Sequence, residues 1–138
     1  MSIFVLKKLH AVVGKQLFFE LIIDGESQFS KFCKEVKDNN QYHIELLKIF
    51  TLMNLVAELK MLPQNKFKDI TPYKTDVKEY EFKSKHLRVY IFHLEKTGKV
   101  VAYGGYKNTQ KEDIPKFRSF KNRYLKEIQN DNKKRINN

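Results

Sequence analysis

Lys83, His86, Arg88 and Tyr90 fall within the eight residues "KSKHLRVY", and their types suit the cleavage of an RNA backbone. A 2′-hydroxyl that attacks its own phosphate needs a base, an acid for the departing 5′-oxygen, and cations for the charge that grows on the phosphate oxygens. Arginine offers a planar fork that matches two phosphate oxygens, and lysine offers a point charge. Tyrosine can stack on a base and can also give up a proton. His86 is either the base or an ordinary exposed turn histidine. Such a reaction needs no metal and no other cofactor, and none is expected: His10 and His43 lie in separate segments without carboxylates or cysteines at ligand spacing.

A strand must carry these residues if they are to meet. "HLRVYIFHL" puts Leu87, Val89 and Ile91 on one face and His86, Arg88, Tyr90 and Phe92 on the other, with His93 on the apolar side as a core histidine. "KEYEFK" alternates in the same way around Tyr80 and Phe82. "EKTGK" is a hairpin turn, and "VVAYGGYK" returns as a third strand of an antiparallel meander. Gly104-Gly105 either clears side chains from a strand end that a ligand must approach, or marks a plain β-bulge.

Upstream, "KQLFFELIID" reads as a strand over 15–24 that stops at the turn Asp24-Gly25. Ser27 caps a helix in "SQFSKFCKEVKD", where Phe29, Phe32, Cys33 and Val36 recur at helical spacing. A second helix over 41–62 would bury Ile44, Leu47, Phe50 or Thr51, Leu55, Leu59 and Leu62, and Pro63 ends it. Residues 63–76 read as a connecting loop. A last helix starts near Asp113 with Pro115 in its first turn, an apolar stripe of Ile114, Phe117, Phe120 or Lys121, Tyr124 and Ile128, and Lys116, Arg118, Arg123 and Lys126 mostly off it. Residues 1–14 would add an arm or short strand, and residues 131–138 would fray. The expected fold is a single α+β domain over 1–138: an antiparallel sheet, an N-terminal helix pair and a C-terminal basic helix, with the helices on one face. The opposite face would then present Lys83, His86, Arg88 and Tyr90 to solvent.

Charge points to a polyanion. Of the 27 Lys and Arg, 15 lie in residues 83–138 against only 5 Asp and Glu, so nearly all of the net +11 sits there. Such a surface attracts nucleic acid, because phosphate neutralisation releases condensed counterions. A basic surface that merely aids solubility is the other reading. The apolar content of 41%, with seven Tyr and eleven Phe, excludes a disordered chain. Cys33 is the only cysteine, which excludes an internal disulfide, and it reads as a packing residue in a cytoplasmic protein. No segment reads as a membrane span or a signal peptide.

Residues 80–125 resemble the C-terminal part of the RelE/ParE superfamily of type II toxin–antitoxin toxins, in its HigB-like branch. The matching stretches are "YEFK", "HLRVYIF" and "GGYKNTQKEDIP", about a third of the chain. The resemblance implies a RelE-like fold and a ribosome-dependent endoribonuclease that cuts translated mRNA to inhibit translation. It also implies a co-expressed antitoxin that silences the toxin in a hetero-oligomer. By the same resemblance Lys83 and Arg88 take the places of the family's catalytic cations, and Lys107 and Gln110 those of its residues after the glycine corner. The residue chemistry adds His86 and Tyr90 as catalytic candidates and Lys85, Tyr106, Lys111, Lys116 and Arg118 as residues that meet RNA or ribosome. Lys107 and Gln110 could instead organise the turn into the last helix. The alternatives are a ParE-like poison of DNA gyrase and a non-catalytic nucleic-acid-binding module.

Overall fold

Six strands and three helices follow in the order β1 (Phe4–Lys8), β2 (Phe18–Ile23), α1 (Gln28–Lys37), α2 (Asn40–Ala57), β3 (Phe67–Asp69), β4 (Glu79–Lys83), β5 (Leu87–Leu94), β6 (Gly98–Tyr106) and α3 (Gln110–Asn137). A 3-10 turn over Lys107–Thr109 joins β6 to α3. The structure is a computed structural model that describes residues 2–137. The 131–138 segment expected to fray ends α3, and the side chains beyond Asp131 lie outside the described residues.

The local signals act as their chemistry dictates. Asp24 and Gly25 both take positive φ and turn β2 towards α1. The Ser27 hydroxyl accepts from the Ser30 amide at 3.0 Å, and Asn39 caps α2 in the same way. The stretch 63–76, expected as loop, contributes the three-residue edge strand β3, on which the Phe67 ring stacks at 4.8 Å on Tyr80.

The sheet order is β1-β2-β6-β5-β4-β3. It is mixed rather than antiparallel: β2 runs parallel to β6, with Phe18 opposite Lys99, while the other pairings are antiparallel. The β5–β6 register slips between Tyr90 and Ile91, opposite Ala102, two residues short of the paired glycines.

Helices cover both faces of this sheet, not one. α1 and α2 bury Phe29, Phe32, Val36, Leu46, Ile49 and Met53 against Leu87, Val89 and Ile91. On the opposite face α3 buries Phe117 against Tyr90, Phe92, Val100 and Ala102. The reason is the α3 stripe itself. Ile114, Phe117, Phe120 and Tyr124 need an apolar partner, and the second face of β5 and β6 supplies one.

The buried side of α2 also differs from expectation. Leu46, Ile49, Met53 and Val56 are buried, whereas Ile44, Leu47, Leu55 and Leu59 are exposed. The helix is apolar on two sides, so spacing alone does not choose between them. Among the described residues no helix is long and apolar enough to cross a membrane.

Candidate functional site

Arg88 and Tyr90 lie on the sheet face that α3 covers rather than on an open face, while Lys83 is half-buried at the end of β4. Tyr90 is fully buried and stacks on Phe117 at 5.6 Å between ring centroids. Burial first, then the charges of Glu81 and Asp113, push the Tyr90 phenol well above the ordinary tyrosine value against the opposing pull of the Gln110 side chain and Arg88. Its hydroxyl makes no well-formed hydrogen bond among the described residues. Arg88 is 6% exposed. Its Nη1 donates to the carbonyls of Ser84 at 2.6 Å and Leu87 at 2.8 Å, so the guanidinium braces the loop between β4 and β5 from below. Lys83 stands opposite Arg88 in register, with Nζ 3.7 Å from Glu81.

Two residues expected on RNA anchor α3 instead. Gln110 donates to Glu81 at 2.9 Å. Arg118 donates to Glu79 and to the Ile70 carbonyl, both at 2.9 Å. Glu79 also pairs with the buried Lys121 at 2.6 Å. A carboxylate taken out of water must be satisfied this way. Lys107, Lys111 and Lys116 remain exposed. The paired glycines serve the two helices rather than an approaching ligand: a Cβ at Gly104 would run into the Phe32 ring of α1, and one at Gly105 into the Asp113 carboxylate of α3.

Of the four expected catalytic residues, Lys83 lines a groove and His86 an open cleft. Its Nδ1 lies 2.7 Å from Glu45 Oε2, and its amide donates to Glu45 Oε1 at 2.7 Å. Ser84 Oγ donates to the same Oε1 at 2.5 Å. Glu45 comes from α2, so the helix grips the β4–β5 loop at three points. Burial pushes the Glu45 carboxyl up, but the hydrogen bonds from Ser84 and His86 and the charge of the His86 ring outweigh it and leave the carboxyl below its ordinary value. In the neutral ring an Nδ1–H would donate to the Glu45 carboxylate, which leaves Nε2 as the nitrogen turned away from it.

A cleft of about 420 Å³ opens here, lined by Tyr42, His86, Tyr106, Lys107 and Asn108. The Tyr42 ring centroid lies 5.1 Å from that of His86 and 5.7 Å from that of Tyr106. The Lys107 amide donates to the His86 carbonyl at 2.8 Å and ties the two walls together. Burial, then Glu35, pushes the Tyr106 phenol up, so it keeps its proton at neutral pH. A base poised by a carboxylate, a protonated phenol, stacking rings and a cation can together move protons on a phosphodiester.

Sequence reasoning missed Tyr42, Glu45 and Asn108. Tyr42, Glu45 and Lys48 recur every three residues, a polar stripe beside the apolar ones on α2 that could have drawn notice. Nothing in the sequence says which loop it meets. On the far side of that loop a second groove of about 340 Å³ is lined by Glu45, Lys48, Lys66, Lys83 and Lys85.

The remaining candidates carry no comparable chemistry. Burial pushes the Cys33 thiol up to about 12, which suits a packing residue. His93 is half-buried with Nδ1 3.2 Å from Lys99 Nζ, and burial, then that cation, keeps its ring below the ordinary histidine value. Among the described residues no three His, Cys, Asp or Glu side chains cluster closely enough to hold a metal ion. No protein-family model matches the chain, and no curated protein or solved structure does either.

Proposed function

We propose that the protein is a metal-independent endoribonuclease, the toxin of a type II toxin–antitoxin pair similar to the HigB-like branch of the RelE/ParE superfamily. The observation that carries the chemistry is the Glu45–His86 pair, 2.7 Å apart, in the wall of an aromatic cleft with Lys107 on its lining. His86 Nε2 takes the proton from a 2′-hydroxyl, while Glu45 holds Nδ1–H and stabilises the imidazolium that forms. The 2′-oxygen attacks phosphorus, a 2′,3′-cyclic phosphate forms, and the bond to the 5′-oxygen breaks. Tyr106, which keeps its proton, supplies it to that leaving oxygen. Lys107 offsets the charge on the phosphate oxygens.

The resemblance over residues 80–125 supports the toxin assignment. Within the observed order of two strands, a helix pair, four strands and a helix, the expected strand, helix pair, three strands and last helix are contained, with β1 and β3 as additions. With it come mRNA in the ribosomal decoding site as substrate and an acidic antitoxin as the silencing partner. Arg88 acts in this scheme through the loop it braces, not on phosphate. A purely binding module would need the cations but not a histidine poised by a carboxylate.

The test incubates purified protein with mRNA, with and without programmed ribosomes, and maps new 5′ ends by primer extension. Cuts that depend on ribosomes are expected, and His86→Ala is expected to slow them by about 10²–10⁴-fold. Folded wild-type protein that makes no cuts under either condition would return the chain to gyrase poisoning or plain nucleic-acid binding.

A further inference from the structure

We propose that the substrate strand runs from the aromatic cleft, over the Ser84–His86 loop, into the groove walled by Lys48, Lys66, Lys83 and Lys85, so that the protein accepts only unpaired RNA and holds it beside α2. This rests on the endoribonuclease reading and extends it to the path of the chain. The four lysines come from α2, the approach to β3, the end of β4 and the loop that follows. Lys48, Lys66 and the pair Lys83/Lys85 are distant in sequence and converge only in the fold.

Lys83 lies 3.7 Å from Glu81, but the charge of the other three is not cancelled locally. Lys48, Lys66 and Lys85 are exposed and form no salt bridge among the described residues. The one carboxylate on the groove, Glu45, is already taken up by Ser84 and His86. A backbone of phosphates is the ligand such a track fits. The neighbouring cleft adds what a phosphate track lacks, since Tyr42 and Tyr106 offer ring faces on which a base can stack. Stacking platforms beside a cationic groove are the signature of single-strand binding. A base turned onto those rings cannot also be paired, so a duplex is excluded. Thr51 and Leu52 give the groove a less polar floor that suits sugar and base edges.

The basic helix α3 takes no part in this path. Arg118 and Lys121 are engaged with Glu79, and α3 contributes no side chain to either cleft. The track thus lies away from α3.

The experiment measures fluorescence anisotropy with a single-stranded RNA oligonucleotide methylated at every 2′-oxygen, which cannot be cut, so that binding is read apart from cleavage. The double variant Lys48→Gln/Lys66→Gln is expected to weaken binding roughly tenfold and to lower the dependence of log affinity on log salt by about 0.7 per lysine removed. The charge-matched control Lys8→Gln/Lys126→Gln should bind as wild type, and a perfect RNA duplex should bind more weakly than the single strand. Equal losses in both double variants would overturn the path, as would a duplex that binds as well as the single strand. Competition by poly-glutamate as effective as by RNA would assign the groove to an acidic protein instead. If the groove variants lose binding but no RNA is ever cut, the groove stands and the nuclease falls. If RNA is cut and the groove variants bind normally, the nuclease stands and the path falls.

Discussion

Tyr90 places a hydroxyl without a well-formed hydrogen bond in the middle of the α3-facing core, with only the Gln110 side chain beside it. A buried polar group left unpaired forfeits its hydration and gains nothing in return. Tyr90→Phe is therefore expected to raise unfolding free energy by about 1 kcal/mol and to leave RNA cleavage unchanged. Urea unfolding and the cleavage assay check this together. A variant of normal stability that no longer cuts would put Tyr90 back into the chemistry. The strand alternation that set Tyr90 with Arg88 and apart from Val89 is legible in the sequence. What covers each face is not, because alternation reports two faces and is silent on how many helices there are to fill them.

The elements explain why the glycine pair at the end of β6 cannot vary. Gly104 lies under Phe32 of α1 and Gly105 under Asp113 of α3, so β6 is pressed from both sides at adjacent residues. Gly104→Ala is expected to cost about 1–3 kcal/mol, the range for overpacking a filled core. Its denaturation midpoint should fall with little change in the slope, and an unchanged midpoint would mean that α1 yields at Phe32. The glycines stood out in the sequence, and so did the strands and helices around them. Their reason was out of reach, since it lies in side chains more than seventy residues upstream in one case and eight downstream in the other. The same limit hid the site: His86 was visible by type, but Glu45, 2.7 Å away, sits on a helix 41 residues earlier.

Across the whole molecule Glu45 ties the helix layer to the sheet, and its protonation should be felt in global stability. Its carboxyl titrates below the ordinary 4.5 in the folded protein, so the unfolded chain binds the proton more readily. The tie therefore contributes fully above about pH 5 and is lost as pH falls through the folded value. Glu45→Gln should be less stable than wild type at neutral pH, and the gap should close in acid. Melting temperatures between pH 3 and pH 7 decide it, and a gap that stays constant would mean that the carboxylate charge is not what holds the loop.

The parallel pairing of β2 with β6 has a consequence for how the chain is born. Phe18 finds its β6 partner only when Lys99 has been made, so the β1–β2 hairpin joins the rest of the sheet late. Glu45 likewise waits for His86. During synthesis the first half of the chain carries helices but no closed sheet and no oriented histidine. A nascent copy therefore carries neither the joined sheet nor the Glu45–His86 contact until well past the middle of the chain has been made.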